Sequence, residues 1–279
     1  LASLTVPLAS PRPPHWPLQM AASALFILAA VAASAVVASA KEEVRQVEHF
    51  TGVHASDGIE VRVNTSAGGS SSLTLSSTAE GLSEVRTHVD RWGTLILYRA
   101  PGAGSSHVVA QATVPGPLTY AGATRGSAVL GGTVAGSMVV SSGSRIVAEA
   151  LASSRDVSIS ASATSAIELS GGRVPGISVS CSSTSSIKLG ELRADSASIS
   201  VSSRSSVSGI TVGSATATAS DASSLVFAVT GRVGLSCTNS EVHISGPGRV
   251  TTWSSWGCKL QLPSAERGAG AQAVASVFP

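Results

Sequence analysis

The sequence predicts an all-β protein organised around a parallel β-solenoid with coils of about 20 residues. Three observations carry this. Between Ser141 and Ser240 the chain divides without gaps into five blocks of twenty, among them ASATSAIELSGGRVPGISVS (161–180) and CSSTSSIKLGELRADSASIS (181–200). Down these blocks apolar residues recur in columns: Val147, Ile167, Ile187, Val207 and Phe227 in one, Ile159, Val179, Ile199, Ala219 and then Asn239 in another. Within each block, apolar residues alternate with small polar ones, the period of a strand with one buried face. The joints are rich in Ser and Gly, as turns require. A block of twenty gives a contour of about 66 Å, enough to enclose a thin apolar interior, and equivalent residues of successive coils then stack about 4.8 Å apart.

Taken in order, the chain opens with a proline-rich, patternless stretch at 1–19, read as upstream read-through or an unusual leader. Residues 20–40, MAASALFILAAVAASAVVASA, form an uncharged apolar run ending in Ala38-Ser39-Ala40. That is the pattern of a secretory signal peptide cleaved after Ala40, with a membrane anchor or a buried helix as the alternatives. Residues 41–118 read as an N-terminal β region. Ile59–Val63 alternates behind the turn Ser56-Asp57-Gly58, and the charged stretch Ala79–Val89 reads as a short helix or turn. Residues 94–100 and 107–115 are further strands, the last ended by Pro115. Residues 119–262 are the solenoid proper. Their last part, 241–262, loses the period and acquires Trp253 and Trp256, the signature of an end coil. The rival reading of these tryptophans is a sugar-stacking site. Residues 263–279 read as a flexible tail.

Several segments carry a resemblance: VEHFTGVHASDGIEVRV, LTLSSTAEGLSEVRTHVDRWGTLILY, VVAQATVPGPLTYAGATRGSAVL, and the serine-rich SATSAIELSGG type of repeat. Together, over roughly 44–245, they resemble the head domain of auto-transporter adhesins called the GIN domain. The resemblance implies a right-handed β-solenoid, a secreted or envelope-associated location, and no catalytic residues to carry over. A lipoprotein cysteine after the leader, common in the family, is missing here.

Composition narrows the function. The chain has 18 Lys and Arg against 16 Asp and Glu, with only 4% aromatic residues. No basic patch interleaved with aromatics is present, so nucleic acid is excluded as a partner. The six histidines are scattered, and no zinc spacing or nucleophile elbow occurs. The acids of the repeats, Glu149, Asp156, Glu168, Glu191, Asp195 and Asp221, fall in different columns, which argues against a polysaccharide lyase or hydrolase. No cofactor is expected. Glu168 and Lys188 share an outward column and should form a cross-coil ion pair worth only about 0–1 kcal/mol.

Of three cysteines, Cys237 and Cys258 lie 21 residues apart, about one coil, so a disulfide between them is sterically open; two small buried thiols are the alternative. Cys181 starts a block in a turn column and reads as a serine substitute. Asn64-Thr65-Ser66 is a sequon, making Asn64 a glycosylation candidate at a strand end or loop.

The chemistry that remains is presentation. A solenoid offers a long rigid surface, and avidity over repeated weak contacts replaces a deep pocket. The expected protein is a non-catalytic, secreted or cell-surface adhesin whose partner is a cell-surface glycan or protein. Its contact face is Ser158, Ser178, Ser198, Thr218 and Thr238, and membrane association comes only through the N-terminal apolar segment. A structural or envelope-sensing module acting through protein partners is the second reading, and a polysaccharide-active enzyme the third.

Overall fold

A computed structural model describes residues 40–66 and 68–262. The leader at 1–19, nearly all of the 20–40 segment and the 263–279 tail therefore lie outside the described residues. Strands account for 65% of the described residues and helix for 3%. The N-terminal part holds β1 (Lys41–Arg45), β2 (Gly52–Ala55), β3 (Ile59–Thr65), β4 (Ser72–Ser77), helix α1 (Ala79–Glu84), β5 (Val85–Val89), β6 (Thr94–Arg99) and β7 (Val108–Val114). Then come β8 (Leu118–Ala123), β9 (Ala128–Leu130), β10 (Thr133–Val140), β11 (Arg145–Ala148), β12 (Ala150–Ala152), β13 (Val157–Ala161) and β14 (Ala166–Leu169). Long strands follow: β15 (Gly171–Cys181), β16 (Ser186–Val201), β17 (Ser206–Ser220) and β18 (Ser224–Thr238), then β19 (Glu241–Ser245), β20 (Arg249–Trp256) and β21 (Lys259–Gln261). They wind into about seven turns of a parallel β-solenoid.

Each coil lays down three runs of strand joined by corners. One ladder of inward residues shows how the turns stack: Val61, Val129, Ile146, Ile167, Ile187, Val207, Leu225, Val242 and Leu260 stand in direct register. From Val129 onward this ladder advances by 17, 21, 20, 20, 18, 17 and 18 residues. The uniform period of twenty thus holds only for the central coils. Ile146, not Val147, stacks on Ile167, and Leu225, not Phe227, continues the column; Val147 faces outward opposite Glu168. The cause lies at the corners. Between Lys188 and Leu192 of β16 stand three residues, but between their partners Ser208 and Ile210 of β17 stands only Gly209. Gly209 takes φ +84°, and a side chain there would run into the backbone oxygen of Gly190. Strands keep their register while the corner loses two residues.

The N-terminal region is part of the same stack. β2 pairs in parallel with both β6 and β8, and β3 with both β7 and β9, so the first coil sits between two later ones. Beyond it the ladder turns antiparallel: β4 lies between β7 and β1, and β5 lies on β6. Arg45 ties these end strands together, donating to the carbonyls of Val85 at 2.8 Å and Leu82 at 2.9 Å. α1 is a six-residue turn capped by Thr78, whose hydroxyl accepts from Gly81 N. At the other end, residues 241–262 do not lose register as the sequence suggested. β19, β20 and β21 continue the ladders of β18 and β19.

One corner carries a second ladder that is not apolar. Ser127, Ser144, Ser165, Ser185, Ser205, Ser223 and Ser240 are all buried, 1–6% exposed. The backbone N–H of Ser165 donates to Ser185 Oγ at 3.2 Å, and that of Ser185 to Ser205 Oγ at 3.1 Å; Ser127, Ser144 and Ser223 repeat the pattern. Each serine follows a tight corner that most often holds two left-handed residues, such as Ala163-Thr164, Ser183-Thr184 and Ser203-Arg204. Such a corner leaves a strand N–H without a ladder partner, and the serine hydroxyl of the next coil satisfies it. Serines therefore occupy two different environments. Ser185→Ala should cost about 1–3 kcal/mol, because it strands a buried donor. Ser178→Ala, on the surface, should stay within about 0.5 kcal/mol. Urea denaturation of the two variants side by side measures the difference.

Candidate functional site

The outward side of the sheet formed by β13 and by the C-terminal parts of β15, β16, β17 and β18 carries the predicted contact residues. Ser158, Ser178 and Ser198 stack directly, as expected. The next residue in their ladder is Thr216, then Gly234, because of the two residues lost at the Gly190/Gly209 corner. Thr218 belongs to the neighbouring outward ladder, Ser160, Ser180, Ser200, Thr218 and Ser236, and Thr238 stands opposite Ser220 further along the strand. All five predicted residues are nonetheless exposed on this one face. Two adjacent hydroxyl ladders result, rather than one.

A shallow open groove of about 640 Å³ crosses these ladders. Its lining is built of short side chains, among them Gly176, Ser178, Ser198 and Thr216, with Asp156 toward one end and Arg232 toward the other. Short residues make the groove: Gly176 leaves room for the Asp156 carboxylate, which a Cβ at 176 would displace. Arg249 stands in register with Arg232 in the next strand.

A second outward face shows the ion pairs. Glu168 receives Arg145 Nη2 at 2.6 Å and Lys188 Nζ at 3.6 Å, so the expected cross-coil pair exists and has a third member. The Arg145 hydrogen bond, with Lys188 adding to it, holds the Glu168 carboxyl below the usual carboxylate range. The other acids of the repeats stay apart: Glu191 stands opposite Gly171, and Asp195 approaches Arg173 at 3.7 Å. Among the described residues no group of three or more His, Cys, Asp or Glu is placed to hold a metal ion.

Cys237 and Cys258 are joined by a disulfide, S–S 2.14 Å. Cys181 does not lie in a turn. It stands in the inward ladder Ala161, Cys181, Val201, Ala219 and Cys237, 1% exposed. Burial pushes its thiol up to about 11. A thiol reagent at neutral pH should find no reactive cysteine in the folded protein and one in denaturant, as thiolate is the reacting form. Asn64 is exposed near the end of β3. Trp256 is 63% exposed, and Trp253 stands in register with Leu235.

Sequence reasoning missed a pair of rings on the N-terminal continuation of the hydroxyl face. His54 of β2 and Tyr120 of β8 lie with their planes 6° apart and centroids 6.2 Å apart. Tyr120 Oη is 3.3 Å from His54 Nδ1, and Thr124 Oγ1 is 3.4 Å from His54 Nε2. Burial lowers the His54 pKa from its ordinary value and raises that of Tyr120. Sixty-six residues separate the two in sequence, so no local pattern could join them.

The family model described as "Putative auto-transporter adhesin, head GIN domain" matches residues 49–230. The chain belongs to the GIN-domain family. Three crystal structures of similar proteins share the fold. One, described as a "putative adhesin" from Parabacteroides merdae, is 11% identical with TM-score 0.71, the match covering 80% of this chain and 95% of that one. A "putative adhesin" from Parabacteroides distasonis is 13% identical with TM-score 0.62, covering 80% and 96%. A "Putative lipid binding protein" from the same species is 12% identical with TM-score 0.58, covering 80% and 96%. No curated protein matches the sequence. At these identities the likeness concerns the GIN-domain fold alone.

Proposed function

We propose that this GIN-domain chain is a non-catalytic adhesin, secreted or displayed at a cell surface, that binds a cell-surface glycan through its hydroxyl face. The observation that carries the reading is the pair of adjacent ladders on one rigid sheet, Ser158–Ser178–Ser198–Thr216 beside Ser160–Ser180–Ser200–Thr218–Ser236. Hydroxyls repeating about every 4.8 Å along the solenoid axis match a polymer that also presents hydroxyls at regular intervals, and many weak contacts add up along its length. The open groove suits a chain lying along the surface better than an enclosed small molecule. The family's adhesin label and the spread of the acids over different columns speak in the same direction. A secreted or surface location fits the apolar run at 20–40, whose cleavage after Ala40 is part of the proposal.

A second reading, a module acting through protein partners, draws on two exposed apolar residues of the N-terminal region, Val44 in β1 at 70% and Trp92 in the turn between β5 and β6 at 71%. A glycan array probed with the purified protein separates the two. Dose-dependent binding to a defined polymer, lost when Ser178 and Ser198 are both changed to Arg, supports glycan adhesion. Absence of binding to every glycan and to intact cells removes it in favour of the second reading.

A further inference from the structure

We propose that His54 and Tyr120 form a stacking platform for a gluco-configured pyranose ring at the N-terminal end of the hydroxyl face. The proposal deepens the glycan-binding reading and rests on it. Two glycines define the site. Gly122 stands opposite His54, and Gly52 opposite Tyr120, in the paired strands β2 and β8. Neither adopts a left-handed φ, so the backbone does not require glycine at either position. Glycine inside a strand weakens it and often marks a close approach. Here the approach is by the rings. A Cβ on Gly122 would overlap both His54 Nδ1 and Tyr120 Oη, and one on Gly52 would press on Tyr120 Cβ. The space that a side chain would fill is the space that the rings occupy, so they lie down over the sheet instead of standing out from it.

Their position is fixed from both sides. Tyr120 Oη meets His54 Nδ1, and Thr124 Oγ1 meets His54 Nε2, which holds the imidazole at both ring nitrogens and anchors the tyrosine hydroxyl. The two ring planes are nearly parallel, and both rings are partly exposed. Burial disfavours the charged imidazole, so the surface is neutral as well as flat. Ile96 lies in register on one side of His54, and Val139 lies opposite Gly122 on the other. Val139 is in turn in register with Ser160, so this apolar patch runs directly into an outward hydroxyl ladder. Thr51 and Thr119, hydroxyls 3.0 Å apart, lie close by in the same strands or beside them.

That combination selects a ligand chemistry. A pyranose with equatorial hydroxyls has two faces lined by C–H groups and a rim of hydroxyls. The C–H face packs on an aromatic plane, and the rim reaches the Tyr hydroxyl and neighbouring Thr and Ser groups. A fixed platform loses little freedom on binding, which is where affinity is usually forfeited. A polymer of such sugars would anchor one ring here and continue along the serine and threonine ladders.

The test uses the full chain and three probes, cellohexaose, laminarihexaose and chitohexaose, titrated by calorimetry, with the His54 imidazole resonances followed by NMR. At least one probe is expected to bind and shift those resonances. Tyr120→Ala and Gly122→Ala should each weaken that probe at least tenfold. Gly122→Ala keeps both rings but lifts them off the sheet, and it serves alone if Tyr120→Ala alters the circular dichroism spectrum. Equal affinity in Gly122→Ala and wild type overturns the platform while leaving the hydroxyl face standing, provided that Ser178→Arg/Ser198→Arg still abolishes binding. Failure of the wild-type protein to bind any of the three hexasaccharides also overturns the platform; the glycan array then decides the broader reading separately.

Discussion

Ile187→Ala should lower the unfolding free energy by about 2–5 kcal/mol. Ile187 is 0% exposed and stacks directly between Ile167 and Val207. Truncation removes the transfer free energy of the lost methyl groups and leaves a cavity. In a globular core, neighbours can sag into such a space. Here they are held apart, because Ile167, Ile187 and Val207 ride on strands whose separation is set by backbone hydrogen bonds. Around Ile187, β16 pairs with β14 on one side and β17 on the other, so the strand cannot shift toward the gap without breaking those bonds. The cost should therefore fall toward the upper end of the range. Ile187→Val should cost about 0.5–1.5 kcal/mol. Lys188→Ala, one residue away and outward, should change stability by less than about 0.5 kcal/mol. Urea midpoints of the three variants test the set, and a loss below 1 kcal/mol for Ile187→Ala would show that the interior is loosely packed rather than stacked.

Cys258→Ala should cost about 3 kcal/mol, the chain-entropy value for the 21-residue separation that the disulfide spans. The loss should be local. In a solenoid each coil contacts only its neighbours, so a released end coil frays without dragging the middle with it. The disulfide joins the end of β18 to the turn between β20 and β21, and thus pins the last described coil to the one before it. Amide exchange should accelerate in β19–β21 and stay unchanged in β15–β17. Reductant added to the wild-type protein should reproduce the pattern, since Cys181 takes no part in the bond. Uniform acceleration across all coils would instead mean that the stack unfolds as one unit, and the nearest-neighbour picture would fail.

His54 adds a pH dependence whose sign follows from burial. Its folded-state pKa lies below the ordinary 6.5, so the unfolded chain takes up a proton more readily. Stability from this group is fully present above that value and declines as the pH falls from 6.5 toward the lowered folded value. His54→Gln should flatten that part of the stability profile.

Much of this was legible from residue order. Alternation predicted the strands at 59–63, 94–100 and 107–115, which appear as β3, β6 and β7. The stacking of Ser178 on Ser198 and of Glu168 on Lys188 followed from the repeat of twenty, because the two coils involved have that length. The same reasoning failed for Thr218 and Thr238, for Val147 and Phe227, and for the end coil at 241–262. In each case the count of residues in a corner changed while the strands did not. A period read as a constant cannot see a corner that shortens by two.

The sequence by itself determined the class of fold, the apolar identity of the interior columns and the hydroxyl character of the surface. These follow from a period of two along each strand, a property of the local chain. Only the tertiary structure decided which serines are inside. Ser178 and Ser185 are the same residue type seven positions apart; one faces water, and the other satisfies a buried N–H behind a left-handed corner. It also decided that β2 lies between β6 and β8, and so that His54 meets Tyr120. The physical reason is shared. Side-chain direction depends on the strand alone, but contact between coils depends on how many residues each corner spends before the next strand begins, and corners accept several lengths at little cost.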